Sequence, residues 1–535
     1  MIDKDATDID AHAVKIEGHA MTLPGIGTWL TKRVLLSPDK EAVVDGDKRM
    51  TYQQLNQRTN RLARALMDLG LRYGDRLAIL AHNRLEFLET IMAAAKLGLI
   101  LLPLNWRLTA SELGFILKDS RTEALIYGPE LADLAHAVRD KVAFKQTVLL
   151  GEKGAADLPA YEALLEAQSG AEPDLIKAPD LDTPHIIMYT AGTTGKPKGA
   201  ILTQGASFWN VINLYTAIDF SAQDRNLVVL PMFHIGGIGL FTLPMLYVGG
   251  TAVIQHTFDP MHTLDLLVTE DISLFFGVPA IFLALIQHPD FKTEMFQGVR
   301  LVMSGGAPLP VSLVQQYHEA GIVLQQGFGM SEAAPSIATL QKEHALAKAG
   351  SIGRAVFHLE AKIVDDTMNE LPRGRVGELV IRGPNLMQGY WNRPEATAES
   401  FTDGWFHTGD LARMDADGDM YIVERKKDMF ISGGENVYPA EVENAIYELP
   451  QIAENAVVGV PDKRWGEVGR AFVVLKPGQT LEPEEITAHL KARLAKYKIP
   501  RQVAFLDRLP RNAAGKVLKT DLRDKFSSTT SPNEV

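Results

Sequence analysis

The sequence predicts an α/β protein: a large N-terminal region of mixed or parallel sheets with crossover helices, then a β-rich lobe, then a small α+β region. Three observations carry this. From Thr51 to about residue 324, short apolar runs alternate with stretches whose apolar residues recur at helical spacing, the pattern of strands joined by crossover helices. From about Gly353 the pattern changes to short strands and turns, as at 378–382 and Asp417-Gly418-Asp419. Beyond Arg425 comes a compact mixed segment.

Residues 1–27 read as a polar leader ending at the breaker Leu23-Pro24-Gly25. Thr51 can cap a helix in which Leu55, Leu62, Leu66 and Leu69 recur on one face, and Gly70 can end it. Strands at 77–81, 99–102 and 124–127 alternate with helices at 86–97 and near 112–117. Residues 151–180, richer in Ala, Glu, Gly and Pro, read as surface structure linking two blocks. Strands at 186–189, 227–230, 301–303 and 322–324 each run into a loop of unusual composition. Ligands of open α/β sheets collect beyond the carboxyl ends of strands, so those loops are where chemistry is expected. The C-terminal segment carries a helix at 440–448, strands at 456–460 and 471–475, a helix near 484–495, and a polar tail at 526–535.

Lys and Arg number 54 against 66 Asp and Glu, a net charge of −12, which argues against a nucleic-acid-binding surface. The absence of Cys excludes disulfides, thiolate metal sites and an enzyme-bound thioester, so any thiol in the reaction belongs to a substrate. Residues 1–17 hold several Asp and no apolar core of a secretory signal, which makes a cytoplasmic location the expectation. The uncharged span 235–254 holds five Gly, a Pro and two Thr, and reads as a buried helix running into a strand, not as an integral membrane segment.

The stretch 186–199, I-I-M-Y-T-A-G-T-T-G-K-P-K-G, reads as a buried strand opening into a phosphate cradle of Gly, Thr and Lys. It is not a Walker A loop, because Thr190 stands in place of the first Gly and Pro197 follows Lys196. Pro231-Met232-Phe233-His234 places one imidazole among apolar residues, where a hydrogen-bonded core histidine is the commoner outcome. Ser304-Gly305-Gly306-Ala307-Pro308 offers small residues against which a flat ring can lie. Glu332 in Gly327-Phe328-Gly329-Met330-Ser331-Glu332 suits a hard cation bridged to phosphate oxygens. The same run is a near miss to a nucleophile elbow, rejected for want of His and Asp partners, and His318-Glu319 lacks the second His of a zinc protease. Asp410, in Trp405-Phe406-His407-Thr408-Gly409-Asp410, can accept two ribose hydroxyls, and Arg425 can complement it.

Together with Ser432-Gly433-Gly434-Glu435-Asn436 and Pro510-Arg511-Asn512-Ala513-Ala514-Gly515-Lys516, these motifs resemble the adenylate-forming superfamily of acyl-CoA synthetases over residues 28–525, in the family's order and spacing. The nearest likeness is to bacterial fatty-acyl and aryl-acid CoA ligases. The resemblance implies an AMP-binding domain at 28–425, a hinge at 426–428 pivoting on Lys427, and a mobile C-terminal lid domain at 429–525. It implies that Thr190, Ala191, Gly192, Thr193, Thr194, Gly195 and Lys196 hold the ATP phosphates and that Thr190 and Glu332 serve Mg2+. Gly306, Ala307, Gly327, Phe328, Gly329, Met330 and Ser331 would enclose the adenine end, Asp410 and Arg425 the ribose. Lys516 would be the adenylation lysine, and His234 would gate an acyl pocket shared with Ile235, Gly236, Gly237 and Gly305. Gly433, Gly434, Trp465, Tyr497 and Arg501 would meet coenzyme A. Three positions depart from the family pattern: Ala191 replaces a common Ser, Phe328 a common Tyr, and Glu424 a common Gly.

The implied activity is ATP-dependent joining of a small carboxylic acid to CoA through an acyl-adenylate. No carboxylate near His234 stands ready for an α-amino group, so the acid is expected to be a medium- or long-chain fatty acid, with an aryl or hydroxycinnamate-type acid as the alternative. A third reading has the acyl-AMP delivered to an acceptor other than CoA. The sequence leaves a homodimer open.

Overall fold

Thr51 caps the first long helix by a reciprocal pair: its Oγ1 accepts from the Gln54 N–H at 3.2 Å, and Gln54 Oε1 accepts from the Thr51 N–H at 2.9 Å. The helix, Tyr52–Asp68, buries Leu55, Leu62 and Leu66. A computed structural model describes this chain at residues 23–151, 158–190, 197–426, 428–432, 435–462, 464–491, 493–511 and 517–527.

Among the described residues, the N-terminal region holds two large sheets. In the seven-stranded sheet, Arg76–Leu80, Ile100–Pro103, Ala124–Tyr127, Gln146–Leu149 and Pro184–Thr190 run parallel, and Lys198–Thr203 returns antiparallel along Pro184–Thr190. In the nine-stranded sheet, Glu41–Asp45, Thr251–Ile254, Arg225–Val228, Leu274–Gly277, Leu301–Ser304 and Leu324–Gly329 run parallel. A five-stranded antiparallel lobe follows, built on Glu360–Val364, Gly377–Arg382, Trp405–Met414 and Met420–Arg425. The last sheet is organised by the pairing of Ile452–Asp462 with Gly466–Leu475. The predicted α/β class with a β-rich lobe and a small C-terminal domain is therefore the one observed.

Several local expectations shift. Ile26 is fully buried and a Cβ on Gly27 would stand 2.5 Å from the Lys96 nitrogen, so the chain joins the core before Thr28. Residues 151–180 are more than a surface link. Tyr161 is fully buried, and Glu172 accepts from Lys96 Nζ at 2.6 Å and Asn56 Nδ2 at 2.8 Å, clamping the helices Tyr52–Asp68 and Leu85–Leu97. Composition missed this because polar side chains make the clamp. The strand expected at 227–230 is Arg225–Val228, since its parallel register against Thr251–Ile254 ends at Val228. Residues 235–254 form two short helices, Ile235–Gly239 and Thr242–Val248, before Thr251–Ile254. The helix expected to reach 495 ends at Lys491, and a single turn at Lys496–Lys498 follows. No helix among the described residues is long and apolar enough to cross a membrane.

The C-terminal region is tied to the last strand of the lobe by a buried carboxylate. Glu424 accepts from the Arg425 N–H and from the Ala440 N–H at 2.9 Å each, at the start of the helix Pro439–Tyr447. Lys519 lies 3.6 Å from Glu424 and 2.9 Å from Glu443. Burial raises the Glu424 carboxyl above its ordinary range, and the two carboxylates hold the half-buried Lys519 charged.

His185, in the strand Pro184–Thr190, is fully buried and neither ring nitrogen has a partner. Burial pushes its pKa down to about 3. The unfolded chain, titrating near 6.5, takes up a proton that the folded chain refuses, so stability falls as the pH drops below about 6.5, by about 2 kcal/mol at pH 5. In His185→Met, the fall in thermal midpoint between pH 7.5 and pH 5 should shrink; an unchanged fall would show that this histidine does not set the acid limb.

Candidate active site

The loops of interest gather because the parallel strands end on one side. Leu301–Ser304 and Leu324–Gly329, adjacent in one sheet, deliver the loops at 305–308 and 330–332, and Arg225–Val228, separated from them by Leu274–Gly277, delivers the loop at 231–234. Contacts from the carboxyl ends of the other sheet include the Trp106 ring, 6.1 Å from that of Phe233, and hydrogen bonds from Asn83 and Thr190. Asn83, just past Arg76–Leu80, accepts from the Met232 N–H at 2.7 Å and donates to the carbonyls of Leu230 at 2.9 Å and Gln255 at 3.2 Å. Thr190, at the end of Pro184–Thr190, donates to Glu332 Oε1 at 3.4 Å.

The phosphate-loop stretch is the mouth of a hairpin, with Thr190 opposite Lys198 and Tyr189 opposite Gly199. Ile186, Ile187 and Met188 are buried, as a strand carrying a loop at its end requires. Ala191, Gly192, Thr193, Thr194, Gly195 and Lys196 lie outside the described residues, as do Lys427, Gly433, Gly434 and Lys516.

Glu332 sits in a tight turn, Ser331–Ala333, which folds back so that the Met330 N–H reaches the Pro335 carbonyl at 2.9 Å. A Cβ on Gly329 would stand 2.1 Å from that same oxygen, so only Gly permits the turn. The carboxylate is buried, and Tyr390 donates to its Oε1 at 3.1 Å. A carboxylate beside a hydroxyl is a hard oxygen donor set, fit for a magnesium ion and unfit for a soft metal.

His234 is not the hydrogen-bonded core histidine that its surroundings favour. Its Nε2 is buried without a partner, its ring packs on Phe233 at 4.7 Å, and burial with the Arg107 charge nearby pushes its pKa down to about 4. It presents a neutral imidazole at neutral pH. The glycines after it differ in purpose. A Cβ on Gly237 would strike the Pro231 carbonyl at 2.3 Å, so only Gly fits against that backbone. Gly236, half-buried, would meet only Leu230 and Leu240 side chains at 3.5 Å, and Ile235 is buried. Gly305 is buried too, with its Cβ direction stopped 2.7 Å away by the Gly327 carbonyl.

Gly306, Ala307 and Pro308 are exposed at the end of their strand, and Gly327, Phe328, Gly329, Met330 and Ser331 are half-buried beside them. Asp410 and Arg425 face each other across paired strands and form an ion pair, Nε to Oδ1 2.7 Å, with Asp410 buried. Glu378 supports that corner, accepting from the Gly409 N–H at 3.3 Å and lying 3.3 Å from His407 Nδ1. In the C-terminal region the indole of Trp465 has Arg464 at 5.2 Å and Arg501 at 5.7 Å from its ring, a cationic stacking platform. Tyr497 instead packs against the apolar cluster of Phe430, Val437 and Ile446.

Tyr390 and Asn83 escape a reading of motifs. Each acts through one side chain, and nothing in the residues around either marks it as different from an ordinary packed tyrosine or asparagine.

A family model described as AMP-binding enzyme matches residues 30–391, and one described as AMP-binding enzyme C-terminal domain matches residues 441–516. Feruloyl-CoA synthase from an Amycolatopsis species is 42% identical over 502 residues, 94% of this chain and 99% of that protein. Indoleacetate–CoA ligase from Aromatoleum aromaticum is 40% identical over 507 residues, 94% of this chain and 99% of that one. A long-chain-fatty-acid–CoA ligase of Mycobacterium tuberculosis is 38% identical over 519 residues, with 95% and 99% covered. ATP-bound MatB from Rhodopseudomonas palustris superposes with a TM-score of 0.87 at 32% identity, covering 94% of this chain and 99% of that one. The chain belongs to the AMP-binding enzyme family, and with relatives of this kind along its whole length it is an AMP-forming acid–thiol ligase, for which ATP and CoA are co-substrates.

Proposed function

We propose that the acid is aromatic, of the hydroxycinnamate or arylacetate type, in place of the medium- or long-chain fatty acid expected from the apolar loop around His234. The observation that carries this is the pair of relatives at 42% and 40% identity, whose names give ferulate and indoleacetate as their acids. One local feature supports it. The neutral His234 and the Phe233 ring against it offer an aromatic edge to a planar guest.

A carboxylate is a poor acyl donor because its leaving group would be oxide, so it is first joined to the α-phosphate of ATP. The residues fall into roles for that step. Residues 190–196 hold the phosphates, Thr190 and Glu332 hold the cation, and Asp410 with Arg425 takes the ribose. When bound, Mg2+ supplies neutralising charge for the departing pyrophosphate. Gly306 and Ala307 bound the adenine, and Phe328 keeps a stacking face without the hydroxyl of a tyrosine. Lys516, from the domain beyond residue 428, places a cation between the attacking carboxylate and the α-phosphate, where charge gathers. The CoA arm then needs the volume that Lys516 occupied, and rotation about Lys427 provides it, bringing Gly433 and Gly434 to the thiol channel and Trp465 with Arg501 to the nucleotide end of CoA.

A panel of ferulate, coumarate, indoleacetate, phenylacetate and saturated acids from octanoate to palmitate, assayed for AMP release with and without CoA, should show CoA-dependent turnover highest for an aromatic acid. Higher kcat/KM with palmitate than with any aromatic acid would refute the substrate class, and AMP release indifferent to CoA would refute thioester formation as the second step. Lys516→Ala should lower acyl-adenylate formation by at least 100-fold while leaving thioester formation from supplied acyl-adenylate within about twofold; equal loss of both would remove Lys516 from the adenylation step. Lys427→Pro should leave ATP–pyrophosphate exchange intact and slow CoA-thioester release, and an unaltered overall rate would dismiss the hinge.

A further inference from the structure

We infer that Tyr390 is a positioning residue for adenylation: its hydroxyl orients the Glu332 carboxylate toward the divalent cation of the nucleotide. The inference rests on the reading of Glu332 as a cation ligand and adds the residue that sets its orientation.

The two hydrogen bonds that reach the Glu332 side chain converge on one oxygen. Tyr390 donates to Oε1 at 3.1 Å and Thr190 donates to Oε1 at 3.4 Å, while Oε2 has no protein partner among the described residues. A buried carboxylate with one oxygen saturated and the other bare has a preferred face for a cation, whereas a freely turning one pays rotamer entropy on binding.

The backbone around Tyr390 is built to hold this contact. The two-residue strand Gly389–Tyr390 pairs with Ala200 and Ile201, and the Trp391 N–H reaches the Gly199 carbonyl at 2.7 Å, all on the strand that leaves the phosphate loop. A few residues earlier, the Met387 N–H donates to the Glu332 carbonyl at 2.7 Å, and Asn385 Nδ2 donates to the carbonyls of Ala333 and Ser336 at 2.7 and 2.9 Å. Residues 385–391 therefore strap the Glu332 turn to the hairpin that carries the phosphate loop. The Lys198 ammonium lies 5.3 Å from the centre of the Tyr390 ring, which adds a second hold on that ring from the hairpin.

The test compares Tyr390→Phe, which removes only the hydroxyl, with Glu332→Gln. Mn2+ binding in the presence of α,β-methylene-ATP, read by electron paramagnetic resonance, reports the cation without turnover. Thioester formation from supplied acyl-adenylate reports whether the rest of the enzyme is intact. Tyr390→Phe should weaken Mn2+ retention about tenfold and raise the Mg2+ concentration for half-maximal pyrophosphate exchange by a similar factor, with thioester formation within about twofold. Glu332→Gln should weaken Mn2+ at least as much. If Glu332→Gln weakens Mn2+ and Tyr390→Phe does not, the positioning role is overturned while Glu332 stands. If Glu332→Gln has no effect on Mn2+, the reading of Glu332 falls and the role of Tyr390 with it. A Tyr390→Phe enzyme that loses thioester formation in proportion would show a packing residue and overturn the inference as well.

Discussion

The carboxamide of Asn83 is the hydrogen-bonded joint between the two large sheets on the His234 side of the cleft. The two sheets, each parallel over most of its width, place the carboxyl ends of their strands toward one another. Asn83 ties them with Met232, Leu230 and Gln255 as partners, beside the Trp106 ring packed edge-on against Phe233 and the Thr190–Glu332 hydrogen bond. It is 4% exposed, and a buried amide stripped of these partners would cost about 1–3 kcal/mol for each group left unsatisfied. The loop it holds carries His234, so the placement of the imidazole in the cleft depends on a residue 147 positions from the nearest of its partners in sequence, Leu230.

Glycine does two different jobs around this cleft, and only one concerns a ligand. Gly237, Gly305 and Gly329 are small because a neighbouring carbonyl lies where a side chain would be, which lets loops stack at backbone distance. Gly236 and Gly306 lack such a neighbour; they meet side chains at 3.5 and 3.6 Å and border the half-buried or exposed rim.

The C-terminal region is joined to the lobe by charge as well as by chain. Glu424, in the last strand before the expected hinge, caps the start of the helix Pro439–Tyr447 and shares Lys519 with Glu443. The buried Glu424 and the half-buried Glu443 and Lys519 are stable only when all are paired, because removing one leaves the others poorly solvated. A carboxylate at a position where the family commonly carries Gly thus does structural work in holding the segments on either side of Lys427 together.

The fold class and the family were present in the sequence, because both rest on local pattern: alternating periodicities, and strings such as 189–199, 327–332 and 405–410 in a fixed order. Phosphate cradling, tight turns and strand ends are properties of neighbouring residues, so a linear reading finds them. The orientation of the carboxylate was not there to be read. Glu332 and Tyr390 are separated by 58 positions, and Thr190 and Glu332 by 142, so these contacts exist only after the sheets have packed. Nor does composition tell a glycine that meets a ligand from one that meets a carbonyl. Sequence determined which groups this protein possesses; the meeting of two parallel sheets decided which of them touch, since hydrogen bonds of about 3 Å between distant segments depend on packing and not on proximity along the chain.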